Sequence, residues 1–166
     1  ATQQMLDDSA IDLEAWLAGE VQAEFSRQEN IAFLSGDGVN KPFGLLTYVT
    51  GAANEAKHPW GAIQVVNSGA AAALSNPDKL LDLIYALPGR YRANAKFFLN
   101  RLTQGVVRKL KDGDGNYLWQ PSFAAGQAAT LAGHEVVEVA DMADIGANAL
   151  PILFGDMAQT YLVVDR

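Results

Sequence analysis

The feature that most constrains this chain is a long helical pattern near its start. Apolar residues recur there at intervals of four, with one tryptophan beside them: Leu13, Leu17, Val21, Phe25 and Trp16. Such spacing is typical of one face of an amphipathic helix. It predicts a single helix over residues 6–29. We expect this helix to act as a brace with its stripe packed, so that Leu17→Ala costs about 2–5 kcal/mol.

Two further helices are predicted from their capping residues. Asn76-Pro77-Asp78 is a typical helix start, because Asn can cap and Pro suits the first turn. The helix that follows should bury Leu80, Leu81, Leu83, Ile84 and Leu87 and end at Pro88. Asn100 should cap the next helix, over residues 101–110.

Short extended segments and turns make up most of the rest. Turn residues are dense at 35–38 (SGDG), and residues 39–60 are predicted to be loop and short extended pieces. Six segments have strand-like composition: residues 62–67, 95–99, 117–119, 135–139, 152–155 and 160–164. Helices and strands mix without strict alternation, which favours the α+β class.

Composition excludes several kinds of protein. The chain has 166 residues, a formal net charge of -7 and no cysteine, so disulfides and thiolate metal sites are ruled out. No apolar run approaches the roughly 20 residues that cross a bilayer. The densest basic run, at 101–111, is followed at once by two acids, so it is interpreted as a solvated helix face without specific binding to nucleic acid.

No cofactor or metal motif is complete. The turn at 112–116 (DGDGN) places oxygens at alternate positions, but Tyr117 and Phe123 stand where a calcium loop needs glycine and glutamate. The pair Gly36 and Gly38 lacks the third glycine of a dinucleotide-binding loop. We therefore predict no cofactor and no metal, and expect calcium not to bind at 112–116.

The residues that could carry catalysis are few and scattered. His58 and His134 are interpreted as surface or loop residues, because neither has a ligand-like spacing. The carboxylate pairs Asp7/Asp8 and Asp141/Asp144 are assigned to caps and loops. No catalytic residue is assigned. A small hydrolase or binding domain, with a pocket near Trp119 and His134, stays open as an alternative.

Several stretches, in this order, resemble the major capsid protein family of tailed bacteriophages and prophages. They are residues 4–38 (QMLDDSAIDLEAWLAGEVQAEFSRQENIAFLSGDG), 42–46 (PFGLL), 82–95 (DLIYALPGRYRANA), 98–121 (FLNRLTQGVVRKLKDGDGNYLWQP), 133–139 (GHEVVEV) and 151–166 (PILFGDMAQTYLVVDR). The longest central stretch is the most distinctive. Each motif by itself is ordinary turn or cap chemistry, whereas their order and spacing together are specific.

This resemblance implies the Hong Kong 97-type fold and a structural role. Residues 1–40 would be the spine helix and turn of the peripheral domain, and residues 41–166 the axial domain at the capsomer centre. The protein would build an icosahedral shell as pentamers and hexamers, without being an enzyme. An encapsulin-like compartment shell of the same fold is the alternative.

The resemblance also implies partners, a location and a boundary. Partners would be copies of itself and, during assembly, scaffold, protease and portal proteins, with DNA enclosed but not specifically bound and no membrane association. The location would be the virion, with assembly in the host cytoplasm. The chain would be a fragment lacking the family's N-terminal arm and extended hairpin, so it would assemble poorly alone. We expect residues 141–150 to point toward the capsomer axis, and Asp144→Lys to alter assembly with little effect on stability.

Overall fold

A computed structural model of the chain describes residues 13–57, 61–111, 114–119 and 130–162. The chain divides into two compact units, Ala1–Thr47 and Tyr48–Arg166. Each unit is described by itself. The elements form a mixture of helices and one sheet, which confirms the predicted α+β class.

The first unit is dominated by one helix, α1 (Leu13–Ser35). It passes through Gly19 without a break and continues beyond the predicted end to Ser35. The predicted first turns, at residues 6–12, lie outside the described residues. The prediction of a single long helix is therefore confirmed over its described part.

The prediction that the apolar stripe of α1 is packed is wrong for this chain. No residue of α1 is buried, and Trp16, Leu17, Val21 and Phe25 are 46–67% exposed. A repeat of four drifts by about 40° at each step around a helix with 3.6 residues per turn. Leu13 and Phe25 are thus about 120° apart, and the stripe winds around the helix without forming one face.

Two glycines close the turn that follows α1. The Gly44 N–H donates a hydrogen bond to the Gly36 carbonyl oxygen at 2.9 Å, beside an antiparallel bridge between Asp37 and Phe43. A Cβ atom at Gly36 would lie 2.1 Å from the Pro42 carbonyl oxygen, and one at Gly44 would lie 2.4 Å from a backbone nitrogen. Only glycine permits this approach at either position. The predicted turn is confirmed, and the two glycines are its cause.

The second unit contains a four-stranded sheet in the order β2-β3-β1-β4. Its strands are β1 (Lys96–Leu99), β2 (Thr130–Leu131), β3 (His134–Glu138) and β4 (Ile152–Gly155). β1 and β3 are parallel, and the other pairings are antiparallel. Three of these strands confirm predicted segments, whereas β2 was not predicted.

The remaining elements are helices and 3-10 turns. They are the 3-10 turns Leu45–Tyr48 and Glu55–Lys57 and the helices α2 (Asp78–Ala86), α3 (Gly89–Arg92), α4 (Arg101–Arg108) and α5 (Met157–Thr160). Both predicted caps are confirmed. The Asn76 side chain accepts from the Asp78 N–H at 2.9 Å, and the Asn100 side chain accepts from the Thr103 N–H at 2.7 Å. Of the predicted α2 face, Leu80 and Ile84 are buried, whereas Leu81 is 47% exposed.

The core lies where one face of β1 meets the helices. Phe97 is opposite Val136 on β3 and Phe154 on β4, and its ring centroid is 4.5 Å from that of Phe154. Phe97 and Leu99 alternate with more exposed residues along β1 and are 0% and 1% exposed. Leu80 and Ile84 of α2 and Val107 of α4 belong to the same apolar cluster, so the helices cover this face of the sheet.

Three predicted strands are wrong. Residues 62–67 and 117–119 contribute only single bridges, Val49 to Ile63 and Lys111 to Tyr117. The third, at 160–164, is replaced in its described part by the end of α5 and an irregular Tyr161 and Leu162. Strand composition marks a residue that suits a pleated surface, but a strand forms only where a neighbouring edge is free to pair.

Candidate functional site

Asn100 joins three parts of the second unit at the carboxyl end of β1. Besides capping α4, its side-chain amide donates to the Met142 carbonyl oxygen at 2.9 Å and to Asp144 Oδ1 at 2.7 Å. Asn100 and Met142 are 6% and 3% exposed, so these bonds are largely shielded from water. Residues 141–144 are thus held to the sheet. Asp144 has an internal partner, which the loop interpretation of this acid did not foresee.

His134 does not lie in a surface loop, contrary to its interpretation from sequence. It begins β3, is partly buried, and its ring centroid is 4.9 Å from that of Phe154. Its Nδ1 lies 3.1 Å from the Ala95 carbonyl oxygen. A carbonyl only accepts, so Nδ1 carries the proton and donates. The His134 ring therefore links the start of β3 to the residue that precedes β1. His58 lies outside the described residues.

A groove of about 560 Å³ opens beside Trp119. Most of its wall is apolar and comes from α2, the end of α4 and β2, including Leu80, Leu81, Val107, Leu110, Leu118 and Leu131. The Trp119 indole N–H donates to the Thr130 carbonyl oxygen at 2.6 Å, which fixes the ring at the wall. His134 is not among the lining residues, so the structure does not bring together the pair on which a hydrolase was considered.

The described residues hold few groups arranged for chemistry. Among them, no three His, Asp or Glu side chains come close enough to hold a metal ion. The ion pairs given for these parts of the chain are partly or largely exposed and join Arg27 to Glu24, Lys41 to Asp37, Lys79 to Asp82 and Lys96 to Glu135. Exposed pairs of this kind contribute little to stability. Of the carboxylates considered from sequence, Asp7, Asp8 and Asp112 lie outside the described residues.

Four pKa values change for local reasons. The hydrogen bond from the Val39 N–H, its largest cause, lowers the pKa of Asp37. The Arg27 guanidinium, followed by the Gln28 amide, lowers the pKa of Glu24 to about 2. The Asp82 carboxylate raises the pKa of Lys79. Burial, and then Tyr48, raises the pKa of Tyr161. None of these groups lines the Trp119 groove, so they describe surface pairing and packing more than a reactive centre.

The outer faces of α2 and α4, in the second unit, carry exposed apolar side chains. Leu81 and Tyr85 on α2 are 47% and 72% exposed, and Leu102 and Val106 on α4 are 65% and 40% exposed. Each pair is four residues apart and so lies on one side of its helix. Apolar side chains grouped on a surface in this way favour contact with another protein.

The family model described as "Phage capsid family" matches residues 1–166. The chain belongs to the phage capsid family. Two solved structures are similar to this family member, "Capsid of empty GTA particle computed with C5 symmetry" and "Capsid of native GTA particle computed with C5 symmetry", where GTA denotes a gene transfer agent. Both have a TM-score of 0.78, and the sequence identities are 50% and 49%. A search of curated proteins found no match.

These similarities define the fold of the capsid-family chain. Each covers 94% of this chain and 53% of the other, so the chain spans about half the length of those capsid proteins. The match agrees with the Hong Kong 97-type fold expected from sequence. It indicates a structural protein, and the encapsulin-like and hydrolase alternatives are not favoured. In the described ranges, no helix is long and apolar enough to cross a membrane.

Proposed function

We propose that this chain is part of a shell protein that builds a closed, icosahedral particle by self-association. Copies would form pentamers and hexamers. The observation that carries the proposal is the similarity to two capsid structures over 94% of the chain, at 50% and 49% identity. Identity at this level over most of the chain supports the same kind of assembly.

Within the particle, the two parts of the chain would have different tasks. Residues 1–40 would form the spine helix and turn of the peripheral domain, and residues 41–166 the axial domain. The unbroken length of α1 and its exposed apolar residues support a brace that is covered by other protein in the shell. The division into compact units near residue 47 supports a boundary in this region.

Residues 141–150 would point toward the capsomer axis. Asp141 and Asp144 of neighbouring copies would then approach one another, and like charges repel by about 1 kcal/mol at about 4 Å even in water. The hydrogen bond from Asn100 holds the Asp144 carboxylate on its own subunit, so it counts against Asp144 facing the axis and leaves Asp141 as the acid that would meet its copies. The rest of the loop would splay around the axis.

The particle would enclose DNA without gripping it. A net charge of -7 disfavours tight contact with phosphate, which supports an inner shell surface that does not bind the enclosed DNA tightly. Scaffold, protease and portal proteins would act as partners during assembly in the host cytoplasm. No catalytic step is assigned to this chain.

The test is expression of the full coding sequence that contains these residues, followed by sedimentation and electron microscopy. We expect closed particles in which mass spectrometry finds this protein as the major component. A protein that stays monomeric at every concentration, with and without the products of adjoining genes, would contradict the proposal.

A further inference from the structure

The connection between β3 and β4, residues 139–151, contains no helix or strand. A connection of this length without regular structure is uncommon and often has a function. Its first part, residues 139–144, is attached to the end of β1 by three hydrogen bonds. We call residues 139–144 the docked segment.

Two adjacent residues of the sheet hold the docked segment. The Leu99 carbonyl oxygen accepts a hydrogen bond from the Val139 N–H at 3.0 Å. The Asn100 side-chain amide donates to the Met142 carbonyl oxygen at 2.9 Å and to Asp144 Oδ1 at 2.7 Å. The attachment is therefore small, and it depends on one carbonyl and one amide.

Thr103, in the first turn of α4, has a buried hydroxyl without a partner. The residue is 1% exposed, and among the described residues nothing forms a hydrogen bond with its Oγ1. A buried hydroxyl in this condition is destabilising. Unsatisfied groups of this kind are rare enough in folded proteins to call for an explanation.

The acceptors that a helical threonine normally uses are already occupied. Its hydroxyl can bond the carbonyl three or four residues earlier, which here are those of Asn100 and Leu99. The Asn100 carbonyl oxygen accepts the Gln104 N–H at 2.9 Å, and the Leu99 carbonyl oxygen accepts the Val139 N–H. Thr103 and the docked segment thus share one possible acceptor, and in this structure the docked segment holds it.

We infer that the docked segment has a second, released position, in which the Thr103 hydroxyl donates to the Leu99 carbonyl oxygen in place of Val139. Release uncovers the Asn100 amide to water, while the Asn100 side-chain oxygen still caps α4. Met142 is 3% exposed, so release also removes its side chain from the core, and the docked position is the more stable one. The Thr103 hydroxyl lowers the free-energy difference between the two positions.

In the shell, the position of this segment would decide which acids a neighbouring copy meets. Asp144 stays bonded to Asn100 in the docked position and would be free to face outward with Asp141 in the released one. This consequence rests on the proposed function. The released position itself is a property of the second unit and does not depend on a shell.

Amide hydrogen exchange of the unassembled protein, followed by NMR, tests the released position. Release exposes the Val139 N–H without unfolding the sheet, so this amide should exchange at least about tenfold faster than those of β1, the inner strand. Thr103→Val removes the hydroxyl with little change of shape, so release becomes rarer and exchange at Val139 slows by about twofold to tenfold. Exchange at Val139 that is as slow as in β1, or unchanged in Thr103→Val, would overturn the inference.

Thr47→Val is the matched control. The Thr47 hydroxyl donates to the Gly44 carbonyl oxygen at 2.7 Å and belongs to the first unit. This variant should leave exchange at Val139 unchanged. If it slows that exchange as much as Thr103→Val does, the effect is not specific to the shared acceptor and the inference is wrong.

A change of sign provides an independent test. Asn100→Asp keeps the oxygen that caps α4 but places a carboxylate against the Met142 carbonyl oxygen and the Asp144 carboxylate, so it favours release. Thr103→Val should raise the melting temperature of the natural protein, because it removes an unpartnered hydroxyl. In the Asn100→Asp background it should lower the melting temperature, because the hydroxyl there is bonded to Leu99.

The same sign in both backgrounds would overturn the inference. Neither measurement involves particles, so the two proposals fail separately. Normal particles together with unchanged exchange in Thr103→Val would refute the released position alone. Slowed exchange in a protein that never assembles would refute the shell function alone.

Discussion

The Asn100 side-chain amide donates a hydrogen bond to the Met142 carbonyl oxygen, 42 residues away in sequence. The same side chain accepts from the Thr103 N–H and so caps α4. Asn100→Ala would remove the cap and leave a buried carbonyl without its partner, and we expect a loss of about 2–4 kcal/mol of stability. Urea unfolding followed by circular dichroism measures it. A loss below about 0.5 kcal/mol would show that the network contributes little.

A second variant separates the two roles of Asn100. Asn100→Ser keeps an oxygen that can accept from the Thr103 N–H but cannot reach the loop as an amide donor. We expect a stability between those of the natural chain and Asn100→Ala. Equal stability of the serine and alanine variants would mean that the cap is unimportant beside the loop contact.

Two identical substitutions test the distinction between core and exposed apolar residues. Leu99 is 1% exposed and Leu17 is 57% exposed. In the isolated chain, Leu99→Ala should cost about 2–5 kcal/mol, whereas Leu17→Ala should change stability by less than about 0.5 kcal/mol. Thermal and urea unfolding of both variants provide the comparison. A large effect of Leu17→Ala would show that α1 is packed within the chain after all.

Glu24 gives a pH-dependent signal on α1. Folding lowers the pKa of its carboxyl from 4.5 to about 2, chiefly through Arg27 and then Gln28. A lowered pKa stabilises the ionised form, so the contribution is complete above pH 4.5 and is lost as the pH falls toward 2. NMR titration of the Glu24 carboxyl carbon should show this value, and Arg27→Ala should raise it more than Gln28→Ala. An unchanged titration in Arg27→Ala would refute the pairing.

The acidic turn at 112–116 should not bind calcium usefully. It lacks the glycine and the bidentate glutamate of a calcium loop, and Tyr117 and Phe123 stand at those positions. Isothermal titration calorimetry with calcium chloride should give only the heat of dilution. Binding at micromolar calcium would refute the interpretation of this segment as a simple turn.

Sequence patterns predicted the secondary structure correctly where a single residue determines where an element begins. Asn76 and Asn100 cap helices because their side chains satisfy backbone N–H groups within a few residues, a relationship that the sequence displays directly. The strand at Ile152–Gly155 was also predicted, because a short apolar run bounded by turn residues is consistent with a buried strand. These elements depend little on distant parts of the chain.

The predictions from sequence fail where contacts between distant parts of the chain determine the structure. Ala132 and Gly133 form a tight turn with φ values of 49° and 84°, and the hairpin from β2 to β3 depends on it. Alanine rarely adopts that conformation, so Ala132-Gly133 lacks the Asn-Gly or Asp-Gly signature that marks a two-residue hairpin turn. The contacts of Asn100 with the loop and of His134 with Ala95 span 39 to 44 residues, beyond the reach of any local pattern. Family resemblance, not chemistry in the residues, indicated the shell function.

We propose that these residues build a closed shell by ring-wise self-association. A cryo-electron microscopy reconstruction of particles from the expressed full-length protein tests it most directly. We predict density at each fivefold vertex for five copies of the fold, with the sheet β2-β3-β1-β4 and α1 recognisable in each copy. Particles without this protein, or protein that never forms rings, would contradict the claim.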